Sequence, residues 1–273
     1  MSIDQVLRQI DDWPVPEARV AVVGPKGTVA HRGTLETKGR WASVSKLLTA
    51  FAILMAVQDE ELALDDPAGP AGSTIRHLLA HTSGLPFEGE APVARPGARR
   101  IYSNTGFDLL GDIALEATRH EFDDYLRWQV LEPLGMDVDI VDRPSAGLSG
   151  SLLDMTVFSQ ELLTPTLLGP SRLRAATTVA FPGLAGIIPG LGRYDPCDWG
   201  LGFEIRDGKS PHWTGNQNSP ATYGHFGGSG SFLWVDPDRQ VAMCGLSGRV
   251  FDDENWAMKF WPPLFDAVLA EVD

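Results

Sequence analysis

The chain reads as an α+β protein, an antiparallel sheet flanked by helices with an inserted, mostly helical subdomain. Three observations predict this. Short β-rich runs bounded by turn residues lie near both ends of the sequence. A long apolar helical stretch follows the first pair of runs. The middle of the chain alternates helical patches with Pro/Gly-rich loops and offers no strand series.

In chain order, residues 18–24 (ARVAVVG) and 27–33 (GTVAHRG) are joined by Gly24-Pro25-Lys26-Gly27 and read as a hairpin. From Ser43 to about Asp59 the apolar density, with few breakers, predicts a buried helix, with Ser43 and Ser45 as candidate caps. Residues 65–198 hold the patches STIRHLLAHTSG, NTGFDLLGDIALEATRH and EFDDYLRWQVLEPLG. In the first, Gly84 is expected as a left-handed helix cap and Pro86 as a stop, so HLLAHTSGLP reads as structural. From Trp199 the strands return in WGLGFEIRDG, GSFLWVD and RQVAMCGLSG, with a turn at Asp236-Pro237-Asp238. A terminal amphipathic helix follows, bent at Pro262-Pro263. One domain over 1–273 results, with the sheet part from 1–64 and 199–273 and the helical insert at 65–198.

The bulk numbers narrow the function classes. With 273 residues and 43% hydrophobic content the chain can bury a sizeable core. A net charge of -14 repels phosphate backbones and anionic headgroups, which argues against nucleic acid and acidic membranes as partners. The N-terminus lacks a basic start followed by an apolar run, and the apolar stretch from Leu47 to Val57 is too short to span a bilayer. A cytoplasmic location is the expectation. Cys197 and Cys244 define no disulfide framework, and Cys244, within VAMCGL, is expected in a buried strand. His77 and His81 are four apart, but His81 opens a turn, so no metal-ligand set is legible and no cofactor is expected.

Three stretches carry chemistry. In Ser43-Val44-Ser45-Lys46 the outer residues share a helix face, with Cβ atoms roughly 5–6 Å apart. A serine hydroxyl needs a base, and a lysine serves as one only when neutral. Burial among Leu47, Leu48, Phe51 and Ile53, together with the positive field of a helix N-terminus, lowers its pKa. Tyr102-Ser103-Asn104 stands at a loop-to-helix junction, where a phenol can relay a proton and an amide can reach a substrate or Lys46; a core tyrosine beside an asparagine cap is the other reading. Gly224-His225-Phe226-Gly227-Gly228-Ser229-Gly230 brings bare backbone close to a neighbour and can offer half of an oxyanion hole, the Ser43 N–H being the other half. A strand-edge turn with a structural histidine is the alternative there. The segment Pro211-His212-Trp213-Thr214-Gly215 is open between cleft wall and surface loop.

Together these residues resemble the serine β-lactamase and penicillin-binding-protein hydrolases, in their class C-like branch of β-lactamases, D-alanyl-D-alanine carboxypeptidases, D-aminopeptidases and β-lactamase-fold esterases. Ser43-x-x-Lys46 matches the first motif, Tyr102-x-Asn104 the second, and His225-Phe226-Gly227 a His-x-Gly form of the third, which is Lys-Thr-Gly in many relatives. HLLAHTSGLP, PGARRIYSN and the run from Gly224 to Val241 are also similar to stretches of that branch, and the resemblance covers nearly the whole chain. It implies a β-lactamase/transpeptidase-like fold and an acyl-enzyme on Ser43. Lys46 and Tyr102 share the proton, and the N–H groups of Ser43 and Gly228 form the oxyanion hole. Asn104, His225, Phe226 and Gly227 serve as substrate-binding positions. Two departures bear on substrate. His225 replaces a lysine and Phe226 a hydroxyl, and in the family those groups hold a carboxylate. The expectation is therefore a small ester or amide substrate. The competing readings are a β-lactamase or D-Ala-D-Ala-type peptidase, and a catalytically silent binding relative.

Overall fold

A computed structural model describes residues 1–272. Its main sheet has six strands, β1 (Arg19–Gly24), β2 (Gly27–Arg32), β3 (Glu204–Ile205), β4 (Tyr223–Gly227), β5 (Ser231–Asp236) and β6 (Val241–Leu246). Their order is β2-β1-β6-β5-β4-β3, and every neighbouring pair is antiparallel. The N-terminal hairpin is thus joined to the last strand, in register from Arg19↔Leu246 to Val23↔Ala242.

β1, β4, β5 and β6 are buried along their whole length, because helices cover both faces. Successive side chains alternate between two cores, as the pleat requires. Ala21, Val23, Leu233, Val235, Ala242 and Cys244 face a core shared with α2 (Ser45–Gln58), α3 (Asn104–Thr118) and α4 (Leu152–Leu163). Val20, Val22, Phe232, Trp234 and Met243 face the other core, shared with α1 (Ile3–Leu7) and α5 (Trp256–Leu269). Sides that are both covered explain why these strands read as continuous apolar runs rather than alternating ones. Pro262 and Pro263 lie inside α5. Cys197 and Cys244 are both free and buried. No helix among the described residues is long and apolar enough to cross a membrane.

α2 is the centre of the fold, with every residue from Ser45 to Ala56 buried, as expected of a helix that is apolar all round. A single 3₁₀ turn, Ala42–Val44, leads into it. The expected serine cap is not what the structure shows. α2 has no side-chain cap, and the Ser45 hydroxyl instead accepts the Leu148 N–H at 3.0 Å, tying the helix start to the strand Leu148–Gly150. Gly84 is also not the helix cap. The helix Ile75–Leu79 gives way at Ala80, and His81 takes the left-handed conformation at φ 56°. Gly84, at φ 88°, is needed further along, where a Cβ would overlap the Ala94 carbonyl.

The stretch 65–198 has more helices than strands, much of it being loop, and α4 from within it lies across β6, β1 and β5. It also holds strands of two or three residues that no periodicity reveals. Arg100–Ile101, Gly186–Ile188 and Gly192–Tyr194 form one small ribbon, and in another Leu148–Gly150 pairs with Asp139–Ile140 on one side and Gly39–Arg40 on the other.

Candidate active site

Ser43 sits half-buried on the 3₁₀ turn, directly after Ala42, whose φ of 46° is in the left-handed region. Such a residue costs on the order of 1 kcal/mol and persists only where its surroundings hold it. The holding partner is the β4–β5 hairpin. Ser231 donates its hydroxyl to the Trp41 carbonyl at 2.6 Å, and Ser229 donates to the Arg40 carbonyl at 2.7 Å. A Cβ on Gly227 would overlap both the Trp41 carbonyl oxygen and Ser231 Oγ, so the bare backbone is what lets β4 lie against the serine turn. Ser43, Tyr102, His225, Phe226 and Gly228 then border one pocket of about 160 Å³, which Phe87 and Phe251 also line.

Lys46 is fully buried. Its Nζ donates to Asn104 Oδ1 at 2.5 Å and to the Ser145 carbonyl at 2.8 Å, and stands 4.8 Å from the centre of the Tyr102 ring. Burial lowers its pKa to about 7, with Asp108 and Glu88 pulling upward and Arg143 downward. A neutral amine has two N–H groups and one lone pair. The two oxygens occupy the N–H groups and leave the lone pair free.

Tyr102 is buried between rings, tilted over His81 at 4.6 Å between centroids and edge-on to Trp199 at 5.9 Å. Its hydroxyl meets His225 Nε2 at 3.3 Å and lies beside Ser43 on the same pocket. The contact with His225 has a direction. His225 Nδ1 faces the Phe226 carbonyl at 2.5 Å, and a carbonyl only accepts, so Nδ1 carries the proton and Nε2 is the acceptor. Tyr102 therefore donates to His225 and leaves its oxygen to accept from Ser43. Burial raises the Tyr102 pKa, against a smaller opposing effect of the Ser43 hydrogen bond. Burial, with the nearby Lys46, pushes His225 down to about 3. Phenol and imidazole are both neutral at physiological pH.

Asn104 has its amide free because Ser103 caps α3, accepting the Gly106 N–H at 2.9 Å. That amide joins a closed ring of hydrogen bonds. Asn104 Nδ2 donates to Glu88 at 2.9 Å, and Arg143 donates to Glu88 at 2.5 Å and to Asp108 at 3.3 Å. Asp108 accepts the Ser145 N–H at 3.0 Å, and the Ser145 carbonyl returns to Lys46.

The structure thus brings Ser43, Lys46, Tyr102, His225, Phe226 and Gly228 together, with two differences from expectation. The hydroxyl of Ser43 lies beside Tyr102, while Lys46 is turned to Asn104 and Ser145. Asn104 and Gly227 stand behind the pocket wall, one holding Lys46 and the other admitting β4. Trp213 is buried behind Phe226, ring centroids 5.6 Å apart, and supports the pocket from the rear. Sequence reasoning missed Phe87, Phe251, the role of His81 and the ring formed by Glu88, Arg143 and Asp108; Phe87, Glu88 and Arg143 lie in segments without periodicity, and Asp108 sits on α3 with its partners in other segments. HLLAHTSGLP, read as structural, does shape the site, since His81 backs Tyr102 and its Nδ1 accepts the Ser103 N–H at 3.1 Å.

A family model described as Beta-lactamase matches residues 3–139 and 138–260. The chain belongs to this beta-lactamase family. Its members are serine hydrolases, and the order of elements and antiparallel sheets found here are those of the beta-lactamase fold. A beta-lactamase structure from Mycobacterium bovis is similar with a TM-score of 0.96 and 47% identity, covering 98% of this chain and 99% of that one. Among curated beta-lactamase-family relatives, the D-alanyl-D-alanine-carboxypeptidase/endopeptidase AmpH of Escherichia coli (strain K12) is 28% identical over 142 residues, 38% of this chain and 37% of that protein. Protein flp of Staphylococcus aureus (strain MW2) is 29% identical over 135 residues, 37% of this chain and 27% of that protein. The matches span well under half the length of these curated relatives.

Proposed function

We propose that the protein hydrolyses a small ester or amide through an acyl-enzyme on Ser43. The observation that carries this is Lys46, fully buried, held by two acceptors and titrating near neutrality, behind a phenol that touches the serine hydroxyl. Tyr102 is raised and His225 is far down, so Lys46 alone stores a proton at physiological pH. Ser43 Oγ bonds to the carbonyl carbon and passes its proton to the Tyr102 oxygen, while the phenolic proton turns from His225 and moves to the free amine of Lys46. The developing oxyanion is held by the N–H groups of Ser43 and Gly228. The bond to the leaving group breaks, and that group takes the proton back from Tyr102. Water then repeats the sequence on the acyl-enzyme and releases the acid.

A second reading is β-lactam hydrolysis, favoured by the likeness to a Mycobacterium bovis protein bearing that name. Against it stands the third-motif position. His225 is buried and neutral with both nitrogens engaged, and Phe226 has no hydroxyl, so neither is a partner for a carboxylate next to the scissile bond. Parallel turnover of p-nitrophenyl acetate and nitrocefin separates the two. Ester turnover far above nitrocefin turnover supports the esterase reading, and comparable rates move the function to β-lactams. Absence of turnover and of acylation in a well-folded protein returns it to a binding role.

A further inference from the structure

Beside the Ser43 pocket lies a second, larger one of about 670 Å³, against about 160 Å³ for the first. The two share Phe87, Tyr102 and Pro189, so they adjoin at these residues.

Its floor is the small ribbon of the strands Arg100–Ile101, Gly186–Ile188 and Gly192–Tyr194. Ile101 is opposite Ile187, and Ile187 is opposite Arg193. Residues opposite one another share a face, and residues two apart along a strand do as well. Ile101, Ile187 and Arg193 therefore share one face, and Arg99, just before the strand, borders the same cavity. The reverse face carries Arg100 and Tyr194, both buried, with the Arg100 guanidinium consumed by the carbonyls of Cys197, Ala80, Ala180 and Phe181. On the open face Ile187 is 62% exposed, and Phe87 beside it is 47% exposed. These are large apolar surfaces left to water at the mouth of a cavity.

The charges on that face are as informative. The chain carries -14 overall, yet the cavity is bordered by two exposed arginines. Arg99 has no hydrogen bond or ion pair among the described residues. Arg193 has only Asp195 at 3.7 Å, both side chains largely in water, a pair of little strength. Two guanidiniums beyond an apolar span suit a carboxylate at the far end of an apolar body.

Which half of a substrate lies there follows from Tyr102. Its hydroxyl is the group that returns a proton to the departing oxygen or nitrogen, so the leaving half lies on the Tyr102 side, where the larger pocket begins. We infer that the leaving half of the substrate is an apolar body ending in a carboxylate, seated on Phe87, Ile101 and Ile187 and read by Arg99 and Arg193. This rests on the assignment of Ser43 as nucleophile.

The test is a matched pair of acetate esters, of 4-(4-hydroxyphenyl)butanoic acid and of its carboxamide, with kcat/KM measured for each. The expected ratio favours the carboxylate by roughly tenfold, the effect of one charge-assisted contact. It should shrink with added salt and fall towards one in R99A/R193A. A ratio within one enzyme cancels any general damage from the substitutions. I187D, which puts a like charge on the same face, should reverse the preference. A ratio near one in the wild type, with both esters hydrolysed, overturns the inference while leaving Ser43 in its role. A preference that appears instead for esters with an anionic acyl half overturns the leaving-group assignment. If neither ester acylates Ser43, the parent assignment fails and this one with it.

Discussion

The ammonium of Lys46 lies over the face of the Tyr102 ring, 4.8 Å from its centre, and not beside the phenolic oxygen. The phenol is thereby left to bridge Ser43 and His225, and the lysine to be governed by what lies behind it. Serine, phenol and imidazole stand in line, while the amine meets the face of the phenol ring.

The first consequence concerns pH. Lys46 titrates at about 7 in the fold and at its ordinary 10.5 when unfolded. Hydrolysis needs the free amine, so kcat/KM should rise through pH 7 and level off above it. Stability should follow the same group. Between about pH 7 and 10.5 the unfolded chain binds a proton that the folded chain does not, so stability rises with pH across that window and the cost of burying the ammonium is felt in full below it. A pH–rate profile and urea melts at several pH values check both. K46M should lose the rate limb and the stability window together.

The same substitution separates catalysis from folding. Lys46→Met removes the proton store and should lower kcat/KM by about 10²–10⁴-fold. It also removes a buried amine, which favours the fold, while leaving Asn104 Oδ1 and the Ser145 carbonyl without a donor, which costs about 1–3 kcal/mol. The net change in a urea melt should be small. A collapse of the fold would make Lys46 a structural residue.

The ring behind Lys46 tunes it through charge, and the signs differ along it. Asp108 raises the Lys46 pKa and Arg143 lowers it. D108N should move the rising limb of the pH–rate profile to lower pH, and R143M should move it to higher pH. A merely structural ring would change rates without shifting the limb in opposite directions.

Two adjacent glycines should behave differently. A Cβ at Gly227 overlaps backbone on the serine turn, so G227A should cost about 1–3 kcal/mol or more and impair acylation as β4 is forced away. At Gly228 a Cβ meets nothing within 4 Å and the N–H is retained, so G228A should melt like the parent. Thermal melts of the pair are sufficient to check this.

Much of the scaffold was legible. The hairpin, α2 and the β5–β6 pair announce themselves because each is a long apolar run between turn residues, and Ser43 and Lys46 are placed by the start of α2, while Tyr102 stands just before α3. The ring and the second pocket were not legible, for a physical reason. Glu88, Arg143 and the Arg100–Ile101 strand lie in loops or two-residue strands, too short for any period to show. The partners of Glu88 and Arg143 are 16 to 55 residues away in sequence, and the Arg100–Ile101 strand pairs with Gly186–Ile187, so only the fold sets those contacts. Ser45 misled for the same reason, since its hydroxyl answers to Leu148 on another element and not to its own helix.

The nucleophile assignment is tested most directly by mass. Wild-type protein treated with a fluorophosphonate probe, then digested, should carry one adduct, on the peptide containing Ser43, and the S43A variant should carry none. A folded wild type that gains no mass, or gains it on another residue, contradicts the assignment.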